Sequence, residues 1–262
     1  MVRQFTEIAQ GDYGPIEGFP HDRVVFGHYR RTGTWSPELV ARLGGWLSGG
    51  GTLLDVGANI GLVSVAVGQR TNATGMCFEP ARENLTVLRR NLLRHALQER
   101  FEVHGVALHS TTGHARLSLD PTNSGDHHLI ASEQAACERP NEERVPTRML
   151  DDVLSDRALP GPVVMKVDTQ GAEVHVLRGA RRTLDRVDQL VIEYWPLGLW
   201  RLGHRPFDLR AELLQHFRYG ALLDQQGGDA RLQPAEELLE RLAFFRDDDP
   251  GFFDLWLTKR MT

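Results

Sequence analysis

Four carboxylates close four short apolar runs. Asp55 follows Thr52-Leu53-Leu54, Glu79 follows Met76-Cys77-Phe78, Asp168 stands two positions after Met165-Lys166, and Glu193 follows Leu190-Val191-Ile192. An acid at the mouth of an apolar strand is costly unless it is paired or used. In an open α/β sheet, ligands bind beyond the carboxyl ends of the strands, so four such acids are expected to converge on one rim. A carboxylate there can accept from both hydroxyls of a ribose or take a proton from a reacting hydroxyl. Glu79 lies 22 positions after Gly57. That is close to the spacing of roughly 20 residues at which such folds set an acid against a ribose diol, so Glu79 is the expected ribose ligand.

The first acid opens a tight loop, Asp55-Val56-Gly57-Ala58-Asn59-Ile60-Gly61, and Leu62 to Val67 can begin a helix behind it. Strand, acid, glycine loop and helix in that order make the first half of a nucleotide-binding βαβ unit. A dinucleotide fingerprint would need glycine where Asn59 and Leu62 stand. The pattern D-x-G-x-N-x-G instead resembles the first motif of class I S-adenosylmethionine-dependent methyltransferases. That cofactor has no phosphate. Its amine and carboxylate suit a nearby acid and the open N–H groups at a helix start. The expected cofactor residues are therefore Asp55, Gly57, Ala58, Asn59, Gly61 and Glu79, with Ala107 beside the adenine at the end of a strand over 101–108. A loop of this kind also occurs without any ligand.

Other reactive side chains carry less. His127 and His128 sit in a polar stretch and are candidate bases, while His104, His109 and His114 recur every fifth residue and share neither a helix face nor a strand face. The pair Asp151-Asp152 stands where acids favour a helix start, so capping is expected before metal binding. Cys77 lies in an apolar run and Cys137 in a polar one. No cysteine pair has metal-ligand spacing, and a reducing cytoplasm is the expected compartment.

The elements that must position these groups follow from the apolar pattern. Residues 1–33 read as an irregular N-terminal arm with one short strand, Arg23-Val24-Val25-Phe26. Ser36-Pro37-Glu38 reads as a helix start, with Ser36 as cap. Strands are expected over 74–79, 101–108, 162–168 and 189–195, and helices after Pro80 and after Glu173. Near-continuous apolar runs such as Val163 to Val167 suit parallel strands covered on both faces. Residues 109–148 break the pattern and are expected to form a flap beside the active site. The last part is read as helix 207–217, strand 219–223, a turn at Gln225-Gln226-Gly227-Gly228-Asp229, helix 235–245 and strand 252–258. Residues 34–262 are thus expected to make one α/β domain: a Rossmann-like, mostly parallel sheet with a C-terminal antiparallel hairpin and helices on both faces.

Composition bounds the partners. Of the 262 residues, 41% are hydrophobic and 25% charged, with a net charge of -5. This fits a globular protein and argues against a nucleic-acid partner, which calls for a basic patch. No apolar run is long enough to span a membrane, and no secretory signal is expected from Met1 to Asp12. Nothing in the pattern fixes an oligomeric state.

Taken in order, Asp55-Val-Gly-Ala-Asn-Ile-Gly61, Phe78-Glu79-Pro80, Asn123-Ser124-Gly125, Lys166-Val-Asp-Thr-Gln-Gly-Ala-Glu173, Val176-Leu177-Arg178-Gly179-Ala180 and Val191-Ile192-Glu193 resemble the FkbM-type methyltransferase family over about residues 34–195. Members often read Val-Glu-Gly where this chain has Thr169-Gln170-Gly171, so Gln170 is given neither a proton-transfer nor a metal role. The resemblance implies methyl transfer from S-adenosylmethionine to a hydroxyl of a small molecule, such as a polyketide-like secondary metabolite or a sugar. Asp168 is then the first candidate base, Glu193 the second, and His127 and His128 further ones. A related group of sugar O-methyltransferases binds magnesium through acids at such strand ends; catalysis without metal is the favoured expectation. Tyr194, Trp195, Trp200 and Phe207 follow the fifth strand and are divided between acceptor pocket and core. Two other outcomes stay open at this level: a nicotinamide-dependent oxidoreductase on a similar sheet, and a non-catalytic member that kept the fold.

Overall fold

The computed structural model describes residues 5–131, 141–223, 230–243, 245–246, 249 and 251–261. Cys137 and the turn expected at 225–229 lie outside them.

The N-terminal arm is more ordered than its glycines and prolines suggest. Strands β1 (Glu7–Ala9) and β2 (Ile16–Gly18) pair antiparallel. The strand expected over 23–26 is instead the start of helix α1 (Val25–Thr32). Val24, Val25 and Phe26 favour strands, but the Asp22 carboxylate accepts their three backbone N–H groups at 2.9, 3.0 and 3.2 Å. Satisfying the orphan donors of a first turn outweighs that local preference. Helix α2 (Pro37–Trp46) starts at Pro37 as expected, although Ser36 makes no side-chain cap and adopts φ 44.

The central unit follows: β3 (Thr52–Val56), α3 (Leu62–Arg70), β4 (Thr74–Phe78), α4 (Arg82–Arg94) and β5 (Phe101–His104). The strand expected over 101–108 breaks in two at Gly105, where a Cβ would lie 2.7 Å from Leu85 Cδ2. Its second piece, β6 (Ala107–Leu108), joins a separate sheet with β7 (Gly113–Ser118), β8 (His128–Leu129) and β9 (Glu142–Arg148).

Then come α5 (Leu150–Val153), β10 (Val163–Val167), α6 (Glu173–Arg178), α7 (Arg181–Leu184) and β11 (Gln189–Tyr194). The single helix expected after Glu173 is interrupted at Gly179, which packs so close to the His109 carbonyl that a Cβ would sit 2.1 Å from it. Asp151 does act as a helix cap, but for α7: it accepts from the backbone N–H groups of Arg182 and Thr183 and from the Thr183 hydroxyl. The chain ends with α8 (Pro196–Arg201), α9 (Pro206–His216), β12 (Tyr219–Leu223), β13 (Gln233–Pro234), α10 (Ala235–Leu242) and β14 (Phe253–Thr258).

The large sheet has the order β13-β12-β14-β11-β10-β3-β4-β5. Strands β11, β10, β3, β4 and β5 are parallel, and β14 runs antiparallel between β11 and β12. This is a Rossmann-like, mostly parallel sheet with helices on both faces. One face buries Leu54, Met165 and Ile192 against α6, α9 and α10. The other buries Leu53, Val164 and Val191 against α2 and α3, together with Tyr13, Ile16, Phe26 and Tyr29 of the arm. The chain progresses from β3 towards β5 on one side and from β10 towards β11 on the other. The direction therefore reverses between β3 and β10, which puts a ligand crevice at their carboxyl ends. Among the described residues no helix is long and apolar enough to cross a membrane.

Candidate functional site

Two cavities open at that crevice. The inner one is lined by Gly57, Ala58, Asn59, Phe78, Glu79 and the backbone run Val106-Ala107-Leu108, and is roofed by Leu117, Ser124, His127 and Leu129 of the 107–148 excursion. The outer cleft is lined by Trp35, Trp46, Trp195, Phe252, Glu38, Arg42, Asp126, Glu193 and Asp254. It is the roomier of the two. Val25, Trp35, Val63, Gly125, Lys166, Asp168 and Gln170 border both, so the cavities meet at these residues.

Register explains why the polar groups gather there. Side chains alternate across a sheet, so Asp55, Lys166 and Cys77 share one face, and pairing sets Asp55 directly between the other two. The Lys166 ammonium donates to the Gly57 carbonyl at 2.8 Å and lies 3.5 Å from both Asp55 and Asp168. Burial works against this ammonium, but Asp168, Asp55 and Asp254 outweigh it and raise its pKa. It therefore stays charged and ties the strand end to the glycine loop.

Asp55 does not line either cavity, contrary to its expected role as a cofactor ligand. It is wholly buried, and its carboxylate accepts the Ser64 hydroxyl of α3 at 2.5 Å. It holds the loop and helix from beneath. Gly61 is likewise off the cavity wall; it caps α3 at φ 90, and a Cβ there would meet Leu88 Cδ1 at 2.6 Å. Gly57, Ala58, Asn59, Glu79 and Ala107 do face the inner cavity.

Glu79 is 5% exposed and accepts the backbone N–H groups of Asn59 at 2.8 Å and Ala81 at 2.9 Å. Burial pushes its carboxyl up to about 7, against the pull of those donors. Each oxygen takes one backbone donor, which leaves lone pairs for a ligand.

Asp168 and Glu193 stand side by side one step past the last paired residues of β10 and β11. The Gln170 amide donates to both, at 2.9 Å each. Gln170 sits at φ 55, in a turn held by the buried Glu173 carboxylate, which accepts from the Thr169 and Gly171 N–H groups. The Asp168 side chain is 40% exposed, whereas Glu193 is buried. Burial, then Asp168, Glu173 and Asp254, raise the Glu193 pKa well above the usual carboxylate range. Glu193, the second candidate base, thus binds its proton more tightly than an ordinary carboxylate, and it lines the outer cleft.

Asp254 is a site residue that sequence reasoning missed. It lies directly opposite Glu193 in the β11–β14 pairing and lines the outer cleft. Burial and the Asp168 charge push its carboxyl up to about 6, with Lys166 pulling the other way. One lone acid in Phe252-Phe253-Asp254-Leu255-Trp256 was its only signal, and only the antiparallel insertion of β14 gives that acid a partner.

The two candidate histidines are engaged otherwise. His127 borders the inner cavity, but its Nδ1 accepts the Asp120 N–H at 3.1 Å, and burial lowers its pKa to about 4. A neutral imidazole with Nδ1 accepting carries its proton on Nε2, so His127 offers a donor. His128 donates from Nδ1 to the Asp126 carbonyl and borders neither cavity. Of the aromatics Tyr194, Trp195, Trp200 and Phe207, only Trp195 reaches the cleft: Tyr194 is core, and Trp200 and Phe207 are exposed. Trp35, Trp46 and Phe252 line it instead. Among the described residues no group of three or more His, Cys, Asp and Glu is arranged to hold a metal ion.

Known proteins resemble this chain in sequence and in fold. Methyltransferase sdnD of Sordaria araneosa is 28% identical over 211 residues, which covers 70% of this chain and 76% of that protein. Methyltransferase FkbM from Methylobacillus flagellatus KT aligns in structure at 20% identity with a TM-score of 0.44, over 80% of this chain and 44% of that one. The present chain thus spans less than half the length of that protein. TrmK of M. capricolum, solved with S-adenosylhomocysteine, aligns at 8% identity and a TM-score of 0.44, over 84% of this chain and 67% of that one. The family model described as the methyltransferase FkbM domain matches residues 55–219. That span takes in the glycine loop, Glu79, Asp168 and Glu193 and more than half of the chain, which belongs to the FkbM methyltransferase domain family.

Proposed function

We propose that the inner cavity binds S-adenosylmethionine and that the chain transfers its methyl group to a hydroxyl of a small molecule in the outer cleft, a secondary metabolite of polyketide type or a sugar moiety. The observation that carries this reading is the junction of the two cavities at Lys166, Asp168 and Gln170. A donor on one side and an acceptor on the other would meet there.

The residues fit such a cofactor. Glu79 has lone pairs free for a ribose diol. Phe78, Val106, Ala107, Leu108, Leu117 and Leu129 form an apolar slot suited to adenine. Gly57 and Ala58 present backbone to the methionine end, with charges of both signs close by on Lys166 and Asp168. Bound there, the cofactor supplies a methyl carbon on a sulfonium, already a good leaving group. What remains for the chain is alignment and exclusion of water and removal of the acceptor's proton. Asp168 takes that proton in this reading, because among the described residues it is the one acid that borders both cavities, and solvent still reaches it. Glu193, which lines the outer cleft beside it, is the second base in this reading. The cleft's acids (Glu38, Asp126, Asp168, Glu193 and Asp254) set against Arg42 and Lys166 support an uncharged acceptor over a polyanion such as nucleic acid.

Isothermal titration calorimetry with S-adenosylmethionine tests the first half: micromolar binding is expected, and absence of heat together with no thermal stabilisation at millimolar cofactor overturns it. Mass spectrometry of candidate metabolites incubated with methyl-labelled cofactor tests the second. In that assay a chelator is expected to leave the rate unchanged.

A further inference from the structure

The arm and the excursion meet the cofactor loop through a chain of buried hydrogen bonds. Asp22, 1% exposed, caps α1 with its carboxylate and also accepts the Ser124 hydroxyl at 2.5 Å. Ser124, 6% exposed, uses its carbonyl to accept the side-chain amides of Asn59 at 2.7 Å and Asn84 at 3.2 Å. Asn59 holds the left-handed φ 50 and donates its own N–H to Glu79. The Asn59 side-chain oxygen accepts the next N–H, of Ile60, at 2.6 Å. Two further contacts press the arm onto the excursion: Arg23 N–H donates to the Thr122 carbonyl at 2.8 Å, and a Cβ on Gly125 would lie 2.9 Å from Val25 Cγ2. Asp22 lies outside the family-matched span of 55–219, and Ser124 belongs to the Asn-Ser-Gly motif, which the chemistry above leaves without a task.

We propose that Asp22 and Ser124 are positioning residues of the cofactor site: they fix the Asn59 amide, and through Asn59 the orientation of Glu79, so that the N-terminal arm is part of the cofactor-binding machinery. This rests on reading the inner cavity as the S-adenosylmethionine site. The loop backbone at Asn59 is one that L side chains adopt sparingly, so an external hold on its amide matters. The Ser124 hydroxyl has one proton, and it goes to Asp22 at 2.5 Å rather than to the Asn59 side-chain oxygen at 3.2 Å. Removing it leaves a buried carboxylate oxygen with one donor fewer, and the turn that carries the Ser124 carbonyl loses its anchor to the arm. Groups placed by such outer contacts lose precision when the contact goes.

The test uses the full chain and S-adenosylmethionine as probe. Calorimetric affinities are measured for the native protein, Ser124→Ala, Asp22→Asn and the double variant, with the melting temperature of each recorded without cofactor. Each single variant is expected to bind about tenfold or more weakly, the range set by one lost buried hydrogen bond. The double variant should lose little more than the worse single one, since both act on the same link. Hydrogen exchange supplies a readout that mere destabilisation would not give. Cofactor should slow exchange at Val24 to Phe26 in the native chain, and in Ser124→Ala it should slow only the loop over 57–61. Native affinity in Ser124→Ala, or losses that simply add in the double variant, overturn the proposal. If Asp22→Asn does not fold, Ser124→Ala alone decides. No binding by the native chain overturns the cofactor reading itself and this proposal with it, a result distinct from the others.

Discussion

Glu79 and Asp168 are both acids at strand ends, yet their surroundings divide their work. Glu79 is closed in, with its carboxyl pushed up to about 7 by burial. A ribose diol presents two donors, which the ionised form accepts best. Cofactor affinity is therefore expected to rise as pH goes from 6 to 8, as Glu79 sheds its proton. Glu79→Gln should weaken binding by about tenfold or more, the scale of a charge-assisted hydrogen bond, and flatten that pH dependence. Calorimetry at the two pH values checks both, and a pH-independent native affinity would place the diol elsewhere. Asp168 is the more open group, tethered by Lys166 and Gln170. Asp168→Ala is expected to keep cofactor affinity within a few-fold and to lower methyl transfer by about 10²–10⁴, the usual contribution of a general base. Single-turnover rates with the labelled cofactor measure this. A surviving rate would move the proton to Asp254, which faces the same cleft.

At the scale of elements, the sharpest constraint is the approach of the β3 loop to the β10 loop. A Cβ on Gly57, at φ 79, would fall 1.8 Å from the Asp168 carbonyl oxygen. Gly57→Ala should therefore cost more than about 1 kcal/mol of stability, from strained backbone alone, and abolish cofactor binding by pushing the two loops apart. A urea midpoint and a calorimetric titration read the two effects. The parallel strands around this point were legible in the sequence because burial on both faces demands apolar runs, and each run carried its acid at or next to its carboxyl end. What was not legible depended on partners remote in sequence. Val24-Val25-Phe26 became helix because Asp22 captured its N–H groups. The 101–108 strand split because Leu85 packs against Gly105. Asp55 kept its place in the motif but not its expected role, because Ser64 and Lys166 claim its carboxylate from below. Asp254 needed the antiparallel insertion of β14 before it had a neighbour at all.

For the whole molecule, the site gathers negative charge out of water, and this sets a pH dependence of stability. The Asp254 carboxyl is raised from 3.8 to about 6, Glu79 from 4.5 to about 7, and Glu193 well above its usual range. A group whose pKa is higher folded than unfolded stabilises fully below the unfolded value, and that contribution is lost as pH rises through the folded one. These three thus favour the folded chain near pH 4 and progressively less towards pH 7. Glu17 and Glu212, lowered by arginine partners despite some burial, work the opposite way: their contribution is present above about 4.5 and lost as pH falls below it. The stacked His109–His175 pair and His204 also oppose the three site acids. Burial lowers all three imidazoles, so their contribution is present above 6.5 and is lost as pH falls, with His175 down at about 3. The native profile is the sum of these trends, so the difference between native and variant isolates the site. Asp254→Asn removes one raised carboxyl and changes nothing at the histidines. It is expected to stabilise the cofactor-free chain at pH 8 by up to about 3 kcal/mol, from a shift of about two units, and by much less at pH 5, where the native Asp254 is largely protonated. Urea midpoints of the two proteins at pH 5 and pH 8 give the answer. An equal effect at both pH values would mean that Asp254 is not the charge this site holds against its preference.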